Sequence, residues 1–152
     1  MKIKIKKSPT ADTRTCDWSK VTKEELLKSS EQHIDDVKNG LDYFGQMLFN
    51  TALEHDCDKI IDIDHFHSDF KTGFKKTGWW NNHINVNRHH IDKPDGVPGN
   101  VNLIDVLEHI TDCVMAGMAR SGSVYELKLP DELLQKAFQN TVKLLKNEIE
   151  VE

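Results

Sequence analysis

Residues 103–120, LIDVLEHITDCVMAGMAR, form the strongest helical pattern in this chain of 152 residues. Asp105, Glu108 and Asp112 recur at three- and four-residue spacing, so they share one face of the predicted helix. Residues 113–119 are apolar on every side, which is typical of a buried central helix. The stretch therefore predicts a helical fold with this segment at its centre.

Helical patterns continue on both sides of this segment. Thr22 and Glu25 match a capping box, which predicts a helix start, and Gly40 predicts the end of that helix. Apolar residues at helical spacing predict further helices, and Pro130 marks the start of the last one. The predicted helices comprise residues 22–39, 41–56, 60–70, 103–120 and 130–150. We therefore expect an all-α single domain of five or six helices, with residues 22–150 as its helical core.

Three segments carry other patterns. Residues 1–7 alternate lysine and isoleucine, so residues 1–20 are expected to form an N-terminal arm with a short extended stretch. This arm is either a solvated tail or a segment that offers Arg14 to a bound anion. Glycine and proline predict a loop over residues 92–102. Four asparagines give residues 79–90 a low helix propensity.

The composition restricts the class of protein. A chain of this length can bury its own core as one domain, and its apolar runs are too short to cross a membrane. The formal net charge of −5 argues against broad binding to nucleic-acid polymers. Three scattered cysteines without CxxC spacing favour a reducing compartment, for which the cytoplasm is the simplest assignment.

Histidine and aspartate form the most informative pattern. His55 and Asp56 are adjacent, and Asp112 lies among apolar residues, where an unpaired carboxylate is costly. Imidazole and carboxylate donors on facing helices are typical of metal sites in helical proteins. We therefore predict one or two divalent ions, with Mn, Fe, Zn, Co or Mg as candidates. The predicted ligands are His33, His55, Asp56, His83, His89, His90 and Asp112.

Asp56 is the expected link between two ions. Its two carboxylate oxygens can bridge ions about 3.5–4 Å apart. His33 and Asp112 are expected to complete the first site. The second site is expected to use His83 together with either His89 or His90.

This order of residues resembles the HD-domain metal-dependent phosphohydrolases, whose signature is a histidine, a His-Asp pair and a later aspartate. The matching residues are His33, His55-Asp56 and Asp112. The HD-GYP branch is similar in further positions, namely His55-Asp56-x-x-Lys59, His83 and His89-His90, although its Gly-Tyr-Pro motif is absent. The stretch from Trp79 to His90 is also similar to small uncharacterised phage and bacterial HD-like proteins.

The resemblance implies an HD-like helical domain that hydrolyses a phosphoester or phosphoanhydride through a metal-activated water. Its substrate would be a nucleotide or related small phosphate, in the cytoplasm of a bacterium or phage-infected cell. Asp58 or Glu108 is the candidate to orient the water. The candidate cations for the phosphoryl charge are Lys59, Arg88 and Arg120, and the candidates for stacking on a base are Trp79 and Trp80.

Other interpretations stay open. A protein that kept the metal-site scaffold without turnover would bind a nucleotide or another protein, and a helical interaction protein would bind no metal. A homo-oligomer is a further alternative. His65 and His67 flank Phe66 and are expected on the surface, whereas His109 is expected to be a neighbour of the site.

Overall fold

The structure is a computed structural model that describes residues 2–8 and 16–152. Within these ranges it contains six α-helices, two short strands and two 3-10 turns. The elements are β1 (Ile3–Ile5), α1 (Lys23–Glu54), α2 (Asp58–Ile61), α3 (Ile63–Phe70), α4 (Trp79–Val86), α5 (Leu103–Ser121), α6 (Asp131–Glu148) and β2 (Ile149–Val151). The prediction of an all-α fold with five or six helices is confirmed.

These elements form two compact units. The first unit comprises Met1–Gln46 and Lys143–Glu152, and the second comprises Met47–Val142. Helices α1 and α6 each continue from one unit into the other. The single domain expected from the sequence stays a prediction. Within residues 2–8 and 16–152, we find no helix with the length and apolar content that a membrane span requires.

The first unit contains a two-stranded parallel sheet. Ile3 lies opposite Ile149, and Ile5 lies opposite Val151. The short extended stretch predicted over residues 1–7 is therefore confirmed. The prediction that the last helix reaches residue 150 is wrong, because α6 ends at Glu148. Two β-branched residues alternate with Glu150 here, a pattern that suits strand pairing better than helix.

Helix α1 begins at the predicted capping box. The Glu25 N–H donates to Thr22 Oγ1 over 3.2 Å, and the Thr22 N–H donates to Glu25 Oε2 over 2.8 Å. The predicted break at Gly40 is wrong, since α1 is continuous from Lys23 to Glu54. A glycine inside a helix costs only about 1 kcal/mol relative to alanine, which the rest of a long helix can absorb.

The core of the second unit lies against the N-terminal half of α5. Its buried residues are Ile91, Val101, Val106 and Ala137. Asn102 and Asp105 form a capping box that starts α5. The predicted burial of residues 113–119 is wrong, because Met115 and Met118 are 66% and 54% exposed. The all-apolar composition of this segment therefore does not mark a central helix.

Residues 58–86 fold into three short helices rather than the single predicted one over residues 60–70. Helix α4 forms in spite of its asparagines, because the buried Asp69 carboxylate accepts N–H groups from Thr77 and Trp80 at 3.0 and 3.1 Å. Gly78, with φ of 76°, makes the turn into α4. Tertiary hydrogen bonds thus outweigh local propensity in this segment.

Candidate metal centre

The His55-Asp56 pair lies directly after the end of α1. The sequence predicted a helix to about Asp56, but α1 ends at Glu54 and Asp56 has a positive φ of 53°. Aspartate tolerates this left-handed region better than most residues, although at a cost of about 1–2 kcal/mol. Such strain persists when surrounding contacts fix the residue, and Lys59 Nζ contacts the Asp56 carboxylate here.

One set of donors forms around His55 and is called the first donor group. It consists of His55, Asp56 and His89, with Asp112 beside them. His55 Nε2 lies 3.5 Å from Asp56 Oδ2 and 3.7 Å from Asp112 Oδ1. His89 Nε2 lies 3.5 Å from Asp56 Oδ1 and 3.8 Å from Asp112 Oδ2. Donors that share one ion lie about 3.0–3.5 Å apart, so a small inward movement would bring this group to ligand distance.

The other set, called the second donor group, consists of Asp56, His83 and His90. His83 Nε2 lies 3.4 Å from Asp56 Oδ1 and 3.0 Å from His90 Nε2. Asp56 therefore faces both groups, as expected for a bridging carboxylate. The sequence left open whether His89 or His90 accompanies His83, and the geometry selects His90.

The buried polar atoms at the centre fit a cation. Asp56 Oδ1 and His89 Nε2 are buried, and each has no hydrogen-bond partner among the described residues. A buried polar atom without a partner costs about 1–3 kcal/mol. A cation between these two atoms would satisfy both at once, so the donor set fits a divalent metal ion.

Glu108 orients the His55 ring of the first donor group and lies beside the His89 ring, whose Nδ1 makes no hydrogen bond among the described residues. Its Oε1 lies 2.9 Å from His55 Nδ1 and 3.0 Å from His89 Nδ1. An imidazole whose Nδ1–H points at a carboxylate presents its Nε2 lone pair to the ion. Glu108 was predicted to act on the water, but its contacts indicate that it positions ligands.

Asp58 has the same relation to the second donor group. Its Oδ2 lies 2.8 Å from His83 Nδ1 and also accepts the Asn87 amide N–H over 3.1 Å. The sequence offered Asp58 as an alternative for orienting the water and did not single out Asn87. The spacing of two residues between Asp56 and Asp58 is the signal that could have indicated a supporting carboxylate.

The charges at the centre shift its pKa values in different directions. Burial raises the pKa of Asp56, but the hydrogen bond and charge of Lys59, with His55 and His83, lower that pKa below its ordinary value. Burial lowers the pKa of His89, but Glu108 outweighs this and leaves the pKa raised. Burial and the charges of His89 and His83 lower the pKa of His90 to about 4. His90 is therefore neutral at pH 7 and available as a ligand.

The predicted cations differ in their contacts. Lys59 contacts the Asp56 carboxylate, whereas Arg88 donates from Nε and Nη2 to the buried Asp105 at 2.7 and 2.8 Å. Arg120 is exposed in the last turn of α5. Arg14 lies outside the described residues. Roles in phosphate binding stay predictions for all four. Among the three cations that the structure describes, only Lys59 directly contacts a candidate ligand.

Aromatic rings contact both histidines of the second donor group. The rings of Trp79 and Trp80 lie 4.9 and 5.1 Å from the His83 ring, and Trp80 lies 5.6 Å from the His90 ring. Trp80 therefore supports candidate ligands, while stacking on a base stays a prediction. His109 donates toward the His89 carbonyl over 2.9 Å, which agrees with its expected place beside the site.

His33 is the predicted ligand that the structure does not bring to either donor group. It lies on α1 in the first unit, beside Ile34 and Val37. Because α1 is continuous, the chain makes no turn between His33 and His55 that would direct both at one ion. The predicted first site therefore has His89 where the sequence suggested His33.

A cleft of about 430 Å³ adjoins the first donor group, and its lining lies wholly in the second unit. The site residues His55, Glu108 and Asp112 form one side of it. The other lining residues are Leu48, Thr51, Ala52, Leu107, Thr111, Met115 and Ala116. The cleft therefore combines an apolar wall with candidate metal ligands.

We compared the chain with protein-family models, curated proteins and solved structures, and nothing matched in any of the three comparisons.

Proposed function

We propose that the protein is a metal-dependent phosphohydrolase of the HD type, acting on a nucleotide or related small phosphate ester. The observation that carries the proposal is the carboxylate of Asp56, which faces two donor groups with one buried oxygen unpartnered among the described residues. The ordered His, His-Asp and Asp pattern adds support, although His89 takes the place expected for His33.

The residues of the centre have distinct chemical tasks under this proposal. A divalent ion bound there would lower the pKa of a coordinated water from 15.7 to about 7 and polarise a phosphoryl oxygen. Glu108 keeps the Nε2 atom of His55 turned toward the ion site and places a negative charge beside His89. Lys59 supplies positive charge beside Asp56, where phosphoryl charge would develop.

The cleft next to the first donor group supports a substrate with an uncharged organic part. Among its lining residues there is no lysine or arginine, and Glu108 and Asp112 contribute two carboxylates. A nucleoside or another apolar alcohol fits such a wall, while its phosphate would lie toward His55 and Asp112. A long polyphosphate chain would meet carboxylates here without a cation to balance its charge.

The test is phosphate release by purified protein loaded with Mn, Co or Mg ions. The panel contains nucleoside mono-, di- and triphosphates and p-nitrophenyl phosphate. We expect turnover that Asp56→Ala reduces about 100-fold or more. Asp64→Ala is the matched control, because Asp64 is exposed on α3 and belongs to neither donor group.

The alternative is a binding protein that retains the metal centre without turnover. Its specific support comes from two of the cations predicted for the phosphoryl charge. Arg88 is already paired with Asp105, and Arg120 is exposed at the end of α5. No phosphate release from any substrate, combined with a nucleotide that raises the melting temperature of metal-loaded protein, would replace the hydrolase proposal with this one.

A further inference from the structure

Helix α1 presents large apolar side chains to solvent at regular spacing. Leu27, Ile34 and Leu41 are separated by seven residues and are 57%, 64% and 64% exposed. Val37, on the same side, is 46% exposed. We call these four residues the apolar stripe of α1, and all of them lie in the first unit. Large exposed apolar residues repeated along one helix face are typical of an interaction site.

The spacing of the apolar stripe is that of a coiled coil. Leu27, Ile34 and Leu41 occupy the a positions of successive heptads, and Val37 occupies a d position. Ser30 is the d residue one heptad before Val37, and its hydroxyl donates to the Leu26 carbonyl over 2.8 Å. Its polar group is thus satisfied within the helix, so burial of this face would leave no hydroxyl unpaired.

We propose that the apolar stripe is covered by the same stripe of a second copy, with the two helices antiparallel. In this register Ile34 packs against the partner's Val37, and Leu41 packs against the partner's Ser30. A twofold axis between the helices makes each contact occur twice, as in other isologous dimers.

The flanking charges decide the occupant and the direction. Glu31 and Lys38 both occupy e positions, and in an antiparallel pair e positions face each other. Glu31 therefore lies opposite the partner's Lys38, and the symmetry repeats this ion pair. A parallel pair would instead place His33 near the partner's Lys38 and Leu26 near the partner's Glu31, with no complementary charges. Lys38 also contacts Asp42 on its own helix, but an exposed pair of that type is weak and can be shared.

Charge reversal tests the dimer in solution. Light scattering and sedimentation should give twice the 17.5 kDa of one chain for the unmodified protein. Glu31→Lys should weaken dimerisation about tenfold, because two ion pairs become repulsive. The double variant Glu31→Lys with Lys38→Glu should restore it. Asp35→Lys makes the same charge change at an exposed position outside the e and g positions and should leave dimerisation unaltered.

Cross-linking tests the direction of the helices. Cys16, Cys57 and Cys113 are first replaced by serine. A mixture of Ile34→Cys chains with Val37→Cys chains should then form disulfide-linked pairs of unlike chains under mild oxidation. Linkage of Ile34→Cys chains to one another would overturn the antiparallel register. A monomer at all accessible concentrations, or a dimer insensitive to Glu31→Lys, would overturn the interface itself.

Discussion

The two donor groups share Asp56 but differ in what lies beside them. In the first donor group the His55 side chain is 31% exposed and His89 is buried, and an apolar cleft adjoins His55 and the neighbouring Asp112. In the second donor group the His83 side chain is fully buried against the rings of Trp79 and Trp80, and His90 is partly buried. Each group has its own supporting carboxylate, Glu108 for the first and Asp58 for the second.

Under the proposed function, this difference gives the two groups different tasks. The cleft lies beside the first donor group, whereas the histidines of the second donor group pack against two tryptophan rings. We infer that an ion in the second group mainly fixes the position and charge of Asp56. The first group is then where a phosphate would be bound.

Removal of the shared carboxylate should have the largest effect. Asp56→Ala deletes a donor from both groups, so we expect bound metal to fall by about tenfold or more at equal free metal. Elemental analysis after equilibrium dialysis measures this loss, with Asp64→Ala as the control. Retention of the full metal content by Asp56→Ala would contradict the bridging role.

Changes in the supporting carboxylates should separate the two groups. Glu108→Gln should weaken metal binding at the first group, and Asp58→Asn at the second, each by about 10–100-fold. Calorimetric titration resolves the affected step in each variant. Equal weakening of both binding steps in either variant would contradict the assignment of one supporting carboxylate to each donor group.

A smaller effect is expected at Gly96, which packs directly behind His90. A Cβ atom there would lie 2.6 Å from the His90 carbonyl oxygen and 2.8 Å from Ile84 Cγ2. Gly96→Ala should therefore reduce the free energy of unfolding by about 1–3 kcal/mol and weaken the second group more than the first. Gly99→Ala is the matched control, since a Cβ at Gly99 would meet no atom within 4 Å. Urea unfolding and metal titration of both variants measure these effects, and equal stability of the two would contradict the close packing.

The smallest effect concerns Asp69, away from both donor groups. Hydrogen bonds from the backbone of Thr77 and Trp80 outweigh burial and lower the pKa of Asp69 below its ordinary value of 3.8. A lowered folded-state pKa means that this stabilisation is present above pH 3.8 and is lost as the pH falls through the lower value. Asp69→Asn should therefore lower the melting temperature at pH 7, with a difference from the unmodified protein that shrinks toward pH 2. A difference that is independent of pH would show that the charge of Asp69 is not the cause.

The sequence was informative wherever a local pattern determines structure. Interactions between residues close in the sequence determine three features that were predicted. These are the capping box at Thr22, the start of α6 after Pro130 and the extent of α5. Six of the seven predicted ligands, all except His33, lie together in the structure. The His-Asp pair and the later donors therefore did indicate one shared centre.

Tertiary contacts explain what the sequence could not predict. Gly40 carries no local sign that α1 continues through it, and this continuity separates His33 from the other ligands. The division of His89 and His90 between two groups depends on how the chain turns after α4. Likewise, Arg88 and Asp105 are 17 residues apart, so the sequence did not show that they are paired. Arg88 was therefore predicted to bind phosphate.

The number of metal ions bound per chain is the direct measure of a metal centre at Asp56. Protein purified without a histidine tag is titrated with Mn, Co or Zn ions and analysed for metal per chain. The two donor groups predict about two ions per chain, with a rise in melting temperature because the folded state alone contains the assembled site. Fewer than about 0.2 ions per chain, with His55→Ala leaving the melting temperature unchanged, would contradict a metal centre at Asp56.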